Sequence, residues 1–483
     1  MPENFAANRL ESTQSMNDPS LDRLESTRTS PTAGRPVEGG PRLCIIGGGP
    51  AGLAVGFHAR RSGIPFVLFE AGESVGGNAR TLQHGEFSFD TGAHRFHDKD
   101  EQVTRDVKGL LGDDLLLAEK PSQIIFGAKR IDFPLSPLNV VKKLGPAMTL
   151  SAVLDFLHER FHALPLEPTF ADLTVHRYGR ALAQAFLLDY SAKLWGAPPD
   201  RLSPAVSGVR LKGLDLRTFF VEAVRGSRAK TRHLDGRFYY PRRGIGMLMD
   251  RLAAACGPGA LRMRSRVTRL LHDGRLVRSV EVNERERMDV EQVVSTLPLS
   301  VLASVMSPPP PDAVLAEARR LRFRHLMLVV LFLNRERVSD NASLYFPEPH
   351  VPFTRACEPK NRSEAMAPAD KTSLAVEIPC SAGDPVWQGG SEPLARAVIS
   401  VLEEKRLIRV RDVFDAAAFC VPYAYPVLEI GYAAAVHNLM DYFAHFENLR
   451  IVGRSAAFAY VHIHDLLREG RNAVAELAPV MTA

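Results

Sequence analysis

The 483-residue chain has little excess of either charge, with 60 Lys and Arg against 55 Asp and Glu, a formal +5. A balance so near neutral provides no dedicated nucleic-acid surface, and the surplus arginine suits an anionic small molecule equally well. No apolar run reaches the roughly 18 residues of a spanning helix, so no transmembrane segment is expected. His325 to Leu333 (HLMLVVLFL) is too short to span and reads as a buried strand. Leu144 to Leu157 is apolar enough to touch a membrane or a lipid-linked substrate, and the expectation is that it packs into the core. The first forty residues have no apolar h-region, so no secretory signal is expected. The five cysteines, Cys44, Cys256, Cys357, Cys380 and Cys420, form no C-x-x-C. That spacing supports neither a zinc site nor a disulfide framework, no metal is expected, and a reduced, cytoplasmic compartment is the default.

What is present begins after a tail. Residues 1–40 are rich in Ser, Thr, Pro and charge and bury too little to offset ordering entropy, so disorder is expected. Then comes RLCIIGGGPAGLAVGFHARRSGIPFVLFEAGESVGGNAR, from Arg42 to Arg80. Leu43 to Ile46 reads as a buried parallel strand, Ala51 to Ser62 as a helix and Phe66 to Phe69 as a second strand. Gly47, Gly49 and Gly52 form G-x-G-x-x-G between the first strand and the helix. The first glycine permits the turn, the second lets backbone approach a pyrophosphate, and the third lets helix and strand pack closely. The helix N-terminus offers free N–H groups to phosphate. Glu70 ends the second strand about twenty residues beyond the motif, where an acid meets a ribose. Gly77, Asn78 and Arg80, in Gly76-Gly77-Asn78-Ala79-Arg80, permit a second close approach and offset phosphate charge. That arrangement resembles the two-dinucleotide-binding flavoproteins and favours FAD over NAD as the cofactor.

The rest of the chain divides by pattern. Residues 41–136, 235–300 and 426–483 read as three segments of one FAD-binding domain. Residues 137–234 lack strand alternation and read as a helical substrate domain, and 301–425 as an antiparallel sheet. The expected fold class is therefore α/β, a discontinuous Rossmann-like FAD-binding domain with a helical substrate domain and an antiparallel sheet. His94 and His97, in FDTGAHRFH, follow the cofactor loop and could reach flavin or substrate, or be structural. Trp195, one of only two tryptophans, could anchor core or stack on a base. Of the arginines from Arg210 to Arg243, most are expected to be solvated, and one or two in a cleft would suit a diphosphate.

Several stretches taken together resemble the UDP-galactopyranose mutase family, within the wider amine oxidase and protoporphyrinogen oxidase superfamily. They are VGGNAR, GAHRFHDKDEQV, PTFADLTVHRYGRALAQAFLLDYSAKLWG, VRLKG, VPFTRACEPK, AYPVLEIGY and NLRIVGR, in order. The resemblance implies an FAD enzyme acting on a nucleotide-linked sugar, with reduced flavin N5 as nucleophile and no net redox change. It places Arg210 and Arg355 on diphosphate-binding arginines, with Tyr190 and Trp195 lining the substrate. It puts His94 beside the flavin, Arg454 after Gly453 near the ribityl chain, Tyr460 on the diphosphate and Val267 on adenine.

One stretch departs from that family. Where it has G-R-x-G-x-Y-R-Y-x-D-x-D, this chain has Gly453-Arg454-Ser455-Ala456-Ala457-Phe458-Ala459-Tyr460-Val461-His462-Ile463-His464. His462 and His464 alternate as on one side of a strand and could serve as acid–base groups. The alternative reading is thus a net oxidoreductase of the amine oxidase or protoporphyrinogen oxidase type, oxidising or desaturating a small molecule. No second dinucleotide fingerprint is present, so NAD(P)H would reduce the flavin from a shared cleft, or a reductase partner would do so.

Overall fold

The structure is a computed structural model that describes residues 42–133, 143, 145–207 and 237–481. Arg210, the VRLKG stretch and the tail lie outside the described residues.

The central layer is a five-stranded parallel sheet. Leu43–Ile46, entirely buried, sits in the middle between Phe66–Phe69 and Gln292–Ser295, with Leu261–Arg262 and Leu449–Ile451 outermost. Apolar runs with no alternation are what a strand covered on both faces requires. The turn after Ile46 leads into the helix Pro50–Arg61, whose proline stands in the first turn, where its missing N–H costs nothing. Gly47 adopts φ +100, and a Cβ there would stand 2.1 Å from Thr296 Oγ1; at Gly52 it would meet Gly47 O at 2.0 Å. Strand, turn and helix interlock here only because these positions have no side chain.

Leu261 to Leu271, which reads as one strand, is split. Leu261–Arg262 completes the parallel sheet, and Val267–His272 begins a separate four-stranded sheet. Between them the Arg264 and Ser265 N–H groups donate to the carbonyls of Gly72 and Glu70, pulling the chain back over the loop after Phe69.

The second large layer has seven strands, in the order Val413–Pro426, Phe323–Leu333, Thr372–Cys380, Arg355–Cys357, Ser343–Tyr345, Ser122–Phe126 and Lys129–Phe133. The stretch read as a buried strand is the nearly all-buried Phe323–Leu333. Ser122–Phe133 falls in the first cofactor segment by sequence, but Ser122–Phe126 pairs in parallel with Ser343–Tyr345. Ile124 and Ile131 then pack with Leu182 and Phe186 of the helical layer. The helix Ser391–Glu404 interrupts the stretch read as strands. Its buried Ala395, Val398, Ile399 and Leu402 have helical spacing, a signal the sequence carried.

The helical layer includes Pro146–Arg160, Phe170–Tyr178 and Asp189–Trp195. Thr169 and Asp172 form a capping box that starts Phe170–Tyr178. Core packing is expected for Leu144 to Leu157; Leu144 lies outside the described residues, and of the described side chains Ala152 is buried while Leu150, Val153, Leu154 and Leu157 are exposed. Among the described residues, no helix is long and apolar enough to cross a membrane.

Candidate active site

The glycine turn, the helical layer and the seven-stranded sheet enclose a cavity of about 1610 Å³. A single small-ligand pocket occupies roughly 300–1,000 Å³, so this one has room for an extended dinucleotide and a second molecule. Gly47, Gly49, Glu70, Gly77, Asn78, Arg80, His94, Tyr190, Trp195, Val267, Arg355, Gly453, Arg454 and Tyr460 all line it. Gly52 does not; it is consumed in packing against the turn. Residues spread over four hundred positions converge because the parallel strands all end on one side, the ligand side of such sheets.

One end is built for a dinucleotide. A Cβ at Gly49 would meet nothing within 4 Å, so the space above the turn is open at the start of the helix Pro50–Arg61. Glu70 differs in detail from its expected role. Its Oε2 accepts from Gly48 N–H and its Oε1 from Gly72 N–H, both at 2.7 Å, so it braces two loops while lining the cavity. Asn78 Nδ2 donates to the carbonyls of Pro422 and Tyr423, tying the second glycine loop to the antiparallel sheet. Thr91 Oγ1 donates to Asn78 O. Buried Asp90 accepts from Thr81 Oγ1, Tyr240 Oη and Ile245 N–H, which fixes the loop carrying His94.

The other end is cationic and aromatic. Arg454 lies over the rings of Tyr425 and Tyr460, 4.9 and 4.7 Å from their centroids. Trp195 meets both rings edge-on at 5.9 and 5.7 Å and is only 3% exposed, so it packs the wall as well as lining it. Arg355 donates from Nε and Nη2 to Glu377 at 2.9 and 2.8 Å. Burial is the largest single influence and opposes its charge, but Glu377, Tyr425, Cys357 and Tyr345 together outweigh it and keep the guanidinium charged. The sequence reading missed Glu377, whose signal was one carboxylate inside an otherwise uncharged, wholly buried strand. Lys193 Nζ donates to the carbonyls of Phe346, Glu348, Val351 and Phe353 at 2.7–3.0 Å. It fastens the helix bearing Tyr190 and Trp195 to the loop that leads into Arg355.

His94 hydrogen-bonds to the Asn78 backbone, and its buried Nε2 has no partner among the described residues. An orphaned polar atom at a cavity wall fits a ligand that completes it. Burial, then Arg454 and Arg362, push its pKa down to about 3; burial and then His462 do the same for His97. Both rings are therefore neutral near pH 7. An unfolded histidine binds a proton near pH 6.5, so between 6.5 and 3 the unfolded chain holds more protons than the folded one. Stability present above pH 6.5 is lost as pH falls through that window. The melting temperature should drop steadily from pH 6.5 to 4, and less steeply in His97→Asn; equal slopes would refute the assignment.

His462 and His464 do not alternate on a strand. They stand at the start of the helix Ile463–Met481, where Asp465 Oδ2 accepts from His462 N–H. Their rings still stack, 5.7 Å apart, but His462 lines the cavity and His464 is buried behind it. Among the described residues no group of three His, Cys, Asp or Glu could hold a metal ion.

A family model described as flavin containing amine oxidoreductase matches residues 50–385. The chain belongs to that family. It is an FAD-dependent flavoenzyme, and the glycine turn, Glu70 and the orphaned His94 Nε2 fit that cofactor. Crystal structures with the same fold include a reduced UDP-galactopyranose mutase, with TM-score 0.81, 18% identity and coverage of 91% of this chain and 96% of the other. A protein from an Exiguobacterium species designated a protoporphyrinogen oxidase has TM-score 0.73, 18% identity and coverage of 91% and 99%. At such identity the likeness is one of fold. In sequence, protoporphyrinogen oxidase 2 of Arabidopsis thaliana is 30% identical over 110 residues, 21% of each chain. The flavoenzyme thus spans about a fifth of that curated relative's length.

Proposed function

We propose that this flavoenzyme acts on a nucleotide-linked sugar. Carrying this reading is the charge of the inner cavity. The carboxylates lining the cavity among the described residues, Glu70, Glu73 and Glu284, belong to the glycine-turn end. At the inner end the lining charges beside neutral His94 are Arg454 and Arg355, the latter balanced from behind by Glu377, which does not line the cavity. A protonated amine would meet like charge there, whereas a diphosphate gains charge-assisted hydrogen bonds.

In this reading Arg355 holds the diphosphate by the guanidinium edge that Glu377 leaves free, with Arg210 as its second arginine. Tyr460 donates its hydroxyl to the same group, and Tyr190 and Trp195 bound the nucleotide. Developing charge on the departing diphosphate would be stabilised by Arg355, which Glu377 holds fixed, and by Tyr460. Bound FAD supplies an electron sink or, once reduced, a nucleophilic nitrogen at the sugar. His94, neutral and held by Asn78, would be one of the residues that hold the cofactor, through its unpartnered Nε2.

A second reading has its own observation. Phe170, Leu182, Phe186 and Leu194 make part of the cavity wall apolar, which favours oxidation or desaturation of a molecule with an apolar body. Chemically reduced enzyme mixed with UDP-galactofuranose separates the two. Conversion to the pyranose, with no acceptor consumed, is the expected result. Absence of conversion across a panel of nucleotide sugars would remove this reading, and oxidised enzyme that reduces an acceptor in proportion to the oxidised product of an apolar substrate would establish the oxidase reading instead.

A further inference from the structure

We propose that the helix Pro146–Arg160 and the residues after it dock the protein on the surface of an anionic lipid bilayer. Among the described residues twelve large apolar side chains stand exposed, and seven of them fall between positions 150 and 166. Leu150, Leu154, Leu157 and Phe161 follow each other at helical spacing and are 60, 57, 50 and 89% exposed; Leu166 is fully so. That is one continuous apolar stripe on a single face.

Charge around the stripe selects its partner. The two carboxylates of the helix turn away from it. Asp155 accepts from Ala181 N–H at 2.9 Å, and Glu159 sits beside Arg180, 16% exposed. Basic side chains stand on the outside: Lys143 precedes the helix, and Arg180, although paired with Glu159, is 74% exposed where its partner is 16%. Glu167, the exposed carboxylate of this segment, follows Leu166 at its far end. An apolar stripe rimmed by basic groups is the pattern of a helix lying in an anionic membrane interface. A second copy would bring like charges together. The buried face of the same helix packs Ala152 against Leu182 and Phe186, which line the cavity. Docking therefore puts the apolar cavity wall one helix away from lipid, whatever the substrate proves to be.

The test uses the full-length, FAD-loaded protein and vesicles of phosphatidylcholine with and without phosphatidylglycerol. Sedimentation with the phosphatidylglycerol vesicles, weakened by salt, is expected. The double variant Leu154→Glu, Leu157→Glu should partition at least about tenfold less, with unchanged flavin absorbance and melting temperature. No sedimentation with either vesicle would overturn the proposal, as would equal binding by the variant. A concentration-dependent dimer abolished by the same variant would assign the face to self-association and overturn it too.

Discussion

Arg355→Met should cost about 3–5 kcal/mol of stability, because it leaves the Glu377 carboxylate buried without its counter-charge. Arg355 and Glu377 are direct cross-strand partners, their side chains 12 and 3% exposed. Adding Glu377→Gln removes the orphan charge while keeping an acceptor for Ala93 N–H, which donates to Glu377 Oε1 at 3.0 Å. The double variant should regain most of the lost stability. It should not regain the ligand. If Arg355 holds a diphosphate, both variants lose one charge-assisted contact, about 1.5–3 kcal/mol, or roughly 10- to 100-fold in Kd. Calorimetric unfolding and titration with UDP read the two effects separately. Wild-type UDP affinity in the stable double variant would remove Arg355 from the site while leaving its structural pairing intact.

Gly49→Val should leave the apoprotein folded and cost the cofactor about 100-fold in affinity, the worth of one or two charge-assisted hydrogen bonds. Gly49 has φ −73 and ψ 178, a conformation open to any residue, and a Cβ there meets no protein atom within 4 Å. Its side chain would enter only the space reserved for a ligand. Gly52→Val is the contrasting control. Its Cβ would stand 2.0 Å from a backbone oxygen, so helix and turn must separate and the fold suffers with the cofactor. FAD titration followed by fluorescence, with melting of each apoprotein, distinguishes the pair. Normal FAD affinity in Gly49→Val would place the pyrophosphate elsewhere.

The chain by itself determined the elements whose information is local. The glycine spacing, the flanking apolar strands and Glu70 lie within about thirty residues, and steric and hydrogen-bonding requirements at a turn are written in adjacent positions. The same holds for the long buried strand Phe323–Leu333. Tertiary structure alone decided three things. Opposition of Arg355 and Glu377 depends on strand register, which periodicity does not encode across distant segments. His462 and His464 alternate in sequence, yet Asp465 in the first turn of a helix there accepts from His462 N–H, and local alternation over three residues cannot outvote a helix start. The helix Pro146–Arg160 is apolar enough for a core, but the layers inside it are already filled by Leu182 and Phe186, so its stripe faces outward. Hydrophobicity states that a surface wants to be covered; only packing decides by what.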